Sequence, residues 1–287
     1  MIAPTIWTPE RLCAAADVGL AWLRSVRVGR YSTRFEIYRR WFAAPKAFPL
    51  SDGDRRLMTE ALIGTLSLFW MARAHIESDP VIPRLRMTVQ GRAGDAQAMS
   101  SEPWAAQFEL TCLAIGRLIG FPRLHFGEPD LVIAGDAARY GLPLKRMTTA
   151  RRRGWKERVR HAIGQLDRLD MSGIVIIEAA WPTIDSDPDP GDALDRAARI
   201  CAGTADRTVG GHRVDAVVVV HFHCDWRPAR DDTPLGFFTL HARIRSRIMP
   251  EAIRPELAQL LAAVGERIAA RLASAGYGVA GLARSEK

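Results

Sequence analysis

The sequence predicts an α/β fold, a mixed sheet flanked by helices with a helical region ahead of it. Three observations predict it. Apolar residues recur at helical spacing through the first hundred residues. From Glu102 onward, helical patterns alternate with short apolar stretches bounded by Gly, Pro and Asp. Residues 173–179 form an apolar run of the kind buried on both faces of a sheet. The expected organisation is a helical region at 1–100, an α/β core at 101–250 and a C-terminal helix within 251–287.

Thr8-Pro9-Glu10-Arg11 reads as a helix start, with a capping threonine and a first-turn proline. Leu12, Ala15, Leu20, Leu23 and Val26 then share one face. A second helix follows Ser51-Asp52-Gly53-Asp54 through Leu57, Leu62, Leu66 and Trp70, and Asp79-Pro80 and Ile82-Pro83 break it. Residues 91–101 read as a polar boundary. A helix then carries Trp104, Phe108, Cys112, Ile115 and Leu118. Strands are expected at 130–134 and 140–147, joined as a hairpin through Gly135-Asp136-Ala137-Ala138-Arg139. An amphipathic helix follows over 149–169. Asp189-Pro190 opens another helix, strands are expected at 214–224 and 236–248, and 256–274 reads as the final helix.

The chain has 287 residues, is 48% hydrophobic and has a net charge of +8. No apolar run reaches the roughly 18 residues of a membrane span, and no leader signature opens the chain, so a cytoplasmic protein is expected. The four cysteines lack C-x-x-C spacing, which argues against a zinc knuckle. A basic balance favours polyanionic partners. Of the basic residues 36 are Arg and four are Lys, so each lysine marks a position where Arg was not used. An ammonium and a guanidinium differ in shape and in how readily they lose a proton, which singles out Lys145. G-x-S-x-G, P-loop and G-x-G-x-x-G motifs are absent.

The polar residues with the most informative order are Glu109 in a helix, Asp130 at the entry to a strand, Lys145 on the next strand and Gln165 in the following helix. Taken singly, each fits a solvated helix residue, a turn or a strand end. Taken together with the words Gln107-Phe108-Glu109-Leu110, Gly127-Glu128-Pro129-Asp130, Lys145-Arg146 and Ala162-Ile163-Gly164-Gln165-Leu166, the chain resembles the PD-(D/E)XK nuclease superfamily over about residues 102–180. The resemblance implies a restriction-endonuclease-like core of helix, three strands, helix and strand. It implies phosphodiester hydrolysis of DNA, or of RNA, in restriction, repair or defence. It also implies Mg²⁺ or Mn²⁺ held by Asp130, Glu109 and the Leu144 carbonyl, with Lys145 as catalytic lysine and Gln165 near the cleavage point. One departure stands out: Pro143 occupies the position of the (D/E)XK acid. The competing expectation is therefore a degenerate member that binds nucleic acid or a partner protein without cutting. Glu178 and Glu128 are candidates for a migrated acid, and Glu178, in an apolar run, needs a partner if buried.

Arg151, Arg152 and Arg153 crowd the start of the helix over 149–169, where cations are unfavourable unless an anion offsets them. With Arg158, and with His161, Gln165 and Arg168 along one stripe, they form the expected nucleic-acid contact. A solvated basic face is the alternative. His221 and His223, with His241 on the next strand, offer an H-x-H pair without clear further ligands. A homodimer, or a partner protein bound through the N-terminal helices, completes the expected partners.

Overall fold

The Leu131–Ala134 and Arg139–Leu142 strands pair in antiparallel register as a hairpin, and the rest of a mixed sheet is assembled around them. The structure is a computed structural model that describes residues 6–28, 33–43, 52–76, 80–93, 102–121, 123–136, 138–148, 151–180, 190–227, 237–248 and 259. In chain order the elements are β1 (Ile6–Trp7), α1 (Pro9–Ser25), α2 (Arg34–Ala43), α3 (Asp52–Arg73), α4 (Ile82–Gln90), α5 (Glu102–Leu118), β2 (Leu124–Phe126), β3 (Leu131–Ala134), β4 (Arg139–Leu142), β5 (Leu144–Met147), α6 (Arg152–Arg168), β6 (Ser172–Ala179), α7 (Pro190–Ala205), β7 (Val214–Arg227) and β8 (Phe237–Ile248). The strands form one sheet in the order β1-β8-β7-β6-β4-β3-β2, with β5 also on β6.

β6 pairs in parallel with β4, β5 and β7, as crossovers through α6 and α7 require. Alternation along β6 divides the core. Ile174 and Ile176 face a cluster with α1, α2, α3 and α5, built around Leu12, Phe35, Leu62, Leu66 and Leu110. Val175, Ile177 and Ala179 face Trp155, Val159, Ile163 and Leu166 of α6 and Leu194 and Ala198 of α7. The central strand is thus covered on both sides, which explains its apolar sequence.

Two glycines permit close approaches that the site depends on. A Cβ at Gly173 would lie 1.8 Å from the Gly141 carbonyl oxygen, in the β4–β6 ladder. One at Gly141 would meet Leu166 at 2.6 Å and Pro129 at 3.0 Å, so its hydrogen lets α6 and the Pro129 turn pack together.

The start of α1 is as expected: the Thr8 hydroxyl accepts from the Arg11 N–H at 3.3 Å, and Pro9 is the first helical residue. Several expectations change. Ile82-Pro83 opens α4 instead of ending a helix, because a proline in the first turn gives up an N–H that has no intrahelical acceptor there. The strand expected over 140–147 is interrupted at Pro143. α6 begins at Arg152, with Arg151 as its N-cap, not at 149. α2, α4, β1 and β2 carried no expectation; β1 and β2, of two and three residues, are too short to display a period. The helix expected over 256–274 lies outside the described residues, apart from Gln259, which is helical. Among the described residues no helix is long and apolar enough to cross a membrane.

A buried arginine ties the N-terminal helices to α5. The Arg34 guanidinium lies 3.6 Å over the Trp104 ring and donates to the Gln107 amide oxygen. Burial lowers its pKa to about 10, and ring stacking substitutes for part of its lost hydration. Cys13, Cys112 and Cys201 are free thiols.

Candidate functional site

The site forms where β3 and β4 part. Their register pairs Leu131 with Leu142, so the next positions outward, Asp130 and Pro143, oppose each other. Pro143 has no N–H to donate across the strands, and the ladder ends there. On its other side the strand does not slip. Leu144 pairs with Ile176 in the register that β4 already holds, and the Ile176 N–H donates to the Pro143 carbonyl at 3.1 Å. The Leu144 N–H is left facing the opening, and it donates to Asp130 Oδ2 at 2.7 Å.

Lys145 completes the junction. Its Nζ donates to Asp130 Oδ2 at 2.9 Å and to the Leu144 carbonyl at 3.0 Å. Asp130 follows a cis Glu128–Pro129 bond. From α6, Gln165 Nε2 donates to the Pro129 carbonyl at 3.3 Å, while its Oε1 is buried with no hydrogen-bond partner.

Glu109 enters from α5, 6% exposed. Its Oε2 lies 3.2 Å from Arg84 Nε, an ion pair whose geometry falls short of a hydrogen bond, since that oxygen has no hydrogen-bond donor. Burial, and next the Asp130 charge, push its carboxyl up to about 7, against opposing pulls from Arg84 and Lys145. Asp130 and Glu109 are therefore near enough to repel. The structure brings Asp130 and Lys145 into contact and sets Gln165 on the neighbouring Pro129 carbonyl, with Glu109 within electrostatic reach of both charges. Arg84 carried no sequence signal, because Ile82-Pro83 beside it reads as a helix break.

A hard divalent cation takes oxygen ligands and needs only one or two carboxylates, with water completing its shell. The two carboxylates, the Leu144 carbonyl and the Gln165 Oε1, which accepts no hydrogen bond, are all oxygen donors. The residues fit such a cation. Among the described residues no group of three His, Cys, Asp or Glu side chains is placed to hold a metal ion.

The candidate migrated acids are otherwise engaged. Glu178 does not reach solvent as a strand end; it is buried and pairs with Arg146 at 2.9 Å. Burial raises its pKa and the Arg146 ion pair opposes the rise. Glu128 is exposed and lines a cavity of about 500 Å³ with Arg139, Tyr140 and Asp170. His221 is fully buried, with Nδ1 2.7 Å from the Ala179 carbonyl, so one ring nitrogen is already committed. The backbone register sets His223 opposite His241, and their side chains lie outside the described set.

Arg151, Arg152, Arg153 and Arg158 are exposed along α6, and Arg153 reaches Glu157 at 2.7 Å. His161, one turn before Gln165, is exposed and lies within the electrostatic reach of both Lys145 and Asp130.

Compared with known proteins, the chain matches no family model, no curated protein and no solved structure.

Proposed function

We propose that this chain is a divalent-cation-dependent nuclease with a PD-(D/E)XK-like site, acting on the phosphodiester bonds of DNA. One observation carries the reading: Asp130, Lys145 and the Leu144 backbone meet at a strand divergence, with the Glu109 carboxyl beside them. Asp130, Glu109 and the Leu144 carbonyl would hold Mg²⁺ or Mn²⁺, which when bound supplies Lewis acidity and an acidified water. Lys145 brings a compact positive charge to the point where phosphate oxygens gather. Gln165 fixes the Pro129 carbonyl and so the angle at which Asp130 enters the site. The exposed arginines of α6 supply sequence-independent phosphate contacts alongside.

A second reading has its own observation. The Lys145 ammonium already contacts both Asp130 Oδ2 and the Leu144 carbonyl, and Pro143 contributes no carboxylate. A degenerate protein that binds nucleic acid without cutting is consistent with that arrangement. The experiment that separates the two is incubation of the purified chain with plasmid, linear and single-stranded DNA plus Mg²⁺ or Mn²⁺. Metal-dependent cleavage that disappears in Asp130→Ala supports the nuclease, and binding without cleavage supports the second reading.

A further inference from the structure

A phosphodiester brought to this junction needs a cation for its non-bridging oxygens, and the cations nearby differ in what they already hold. Lys145 donates to Asp130 Oδ2 and to the Leu144 carbonyl. Arg146 is paired with Glu178 at 2.9 Å, and both side chains are nearly buried. Arg84 is open. Its Nε lies 3.2 Å from Glu109 Oε2 without meeting it in a hydrogen bond. Its Nη1 reaches only the Met87 sulfur, at 3.9 Å, which is a weak acceptor. Among the described residues its Nη2 has no hydrogen-bond partner, and 37% of the side chain is exposed.

The fold holds this open fork at the rim of the junction. Val81, Leu85 and Thr88 bury one face of α4, and the Thr88 hydroxyl donates to the Arg84 carbonyl at 2.9 Å, so the direction of Arg84 is set by a fixed helix. The guanidinium carbon lies 5.9 Å from the centroid of the Phe126 ring. Phe126 ends β2 opposite Leu131, and the next residue, Gly127, donates its N–H to the Asp130 carbonyl at 3.2 Å. The same guanidinium thus meets α5 through Glu109 and lies over the residue where the turn to Asp130 begins.

We propose that Arg84 binds the phosphodiester of the substrate, its fork donating to two non-bridging oxygens of one phosphate at the junction. The proposal rests on the nuclease reading above. A guanidinium presents its N–H groups in one plane, in the spacing of two phosphate oxygens, and such charge-assisted pairs are the stronger class of hydrogen bond. Its present contact with Glu109 is a poorly aligned ion pair on one nitrogen, which two aligned bonds to phosphate can replace. Arg84 lies on α4, outside the segment 102–180 that carries the other site residues, so the N-terminal helices contribute a binding group to the site as well as supporting it.

The test is filter binding of duplex DNA in metal-free buffer at several salt concentrations, for wild type, Arg84→Gln and Arg84→Lys, with Mn²⁺ calorimetry in the absence of DNA. Because Arg84→Gln strips Glu109 of its ion pair, both substitutions are also compared in a Glu109→Gln background, where no carboxylate is stranded. Expected for Arg84→Gln in both backgrounds is a fall in DNA affinity of about 10- to 100-fold, with a salt slope flatter by about 0.9, the share of one phosphate. Arg84→Lys should keep the slope and lose affinity, since an ammonium keeps the charge without the fork. Mn²⁺ affinity should not fall in Arg84→Gln. DNA affinity and slope at wild-type values in Arg84→Gln overturn the contact, and weaker Mn²⁺ binding with them makes Arg84 a support for Glu109. A fall seen only where Glu109 is present overturns it too. Absence of cleavage by wild type in both Mg²⁺ and Mn²⁺ overturns the nuclease reading, while the binding comparison still decides the Arg84 contact.

Discussion

Lys145 neutralises Asp130 at 2.9 Å, with each side chain only 9% exposed. The same ammonium donates to the Leu144 carbonyl, while the Leu144 N–H donates back to Asp130. One carboxylate oxygen thus organises the junction left open by Pro143. Removing one member of a buried pair leaves the other uncompensated, at about 3 to 5 kcal/mol. Asp130→Ala should therefore destabilise the fold by that amount in urea unfolding. Adding Lys145→Met to it should recover a large part. Strictly additive losses in the double variant would mean that the pair is not coupled.

Lys145 also competes for the atoms a cation would use. Lys145→Met frees Asp130 Oδ2 and the Leu144 carbonyl, and should tighten Mn²⁺ binding by about tenfold, worth about 1.4 kcal/mol, as read by calorimetry. The same variant should lose cleavage, because its charge is gone. Lys145→Arg should lose it too, since a planar fork does not fit the space of a compact ammonium. Weaker Mn²⁺ binding in Lys145→Met would show that the ammonium does not compete.

Pro143→Glu should put a carboxylate across from Asp130 and two residues before Lys145, where it adds a ligand. Metal affinity should rise by at least tenfold, or about 1.4 kcal/mol. If wild type cuts nothing and Pro143→Glu cuts, the natural chain is a degenerate nuclease, the form expected of one retained for binding.

Glu109 gives a pH dependence with a definite sign. A carboxyl whose pKa is raised on folding favours the folded state while it is protonated. Its contribution is complete below the ordinary value of 4.5 and is lost as pH rises towards about 7. In metal-free protein, wild type should lose on the order of 3 kcal/mol relative to Glu109→Gln across that window. Paired urea titrations at pH 4.5 and pH 8 measure it. A difference that does not change with pH would mean that Glu109 is not held as described.

If α6 binds phosphates, affinity for duplex DNA should fall steeply with salt. Replacing Arg151, Arg152 and Arg153 with alanine should flatten the slope by about 0.9 for each phosphate no longer neutralised. Filter binding at several salt concentrations reads this directly, and an unchanged slope would leave these arginines as a solvated face.

The core of the site was legible because its residues lie in long or strongly patterned segments. α5 and α6 carry clear apolar stripes, and Asp130 and Lys145 sit on a hairpin with a recognisable turn. What was not legible depends on how separate elements meet. Arg84 reaches Glu109 from a helix that an Ile-Pro pair disguised as a break. Glu178 is satisfied by Arg146, a pairing fixed by the β5–β6 register and not by nearness in sequence.

The balance of charge at the strand divergence has a consequence for order of assembly. With Glu109 ionised, Lys145 offsets Asp130 and Arg84 offsets Glu109, so these four groups carry no formal net charge. A divalent cation entering alone meets little attraction, and a phosphodiester entering alone meets two carboxylates. Arriving together, each supplies the countercharge the other lacks. On the nuclease reading, cation and nucleic acid should therefore load as a couple, each raising the other's affinity by the same factor.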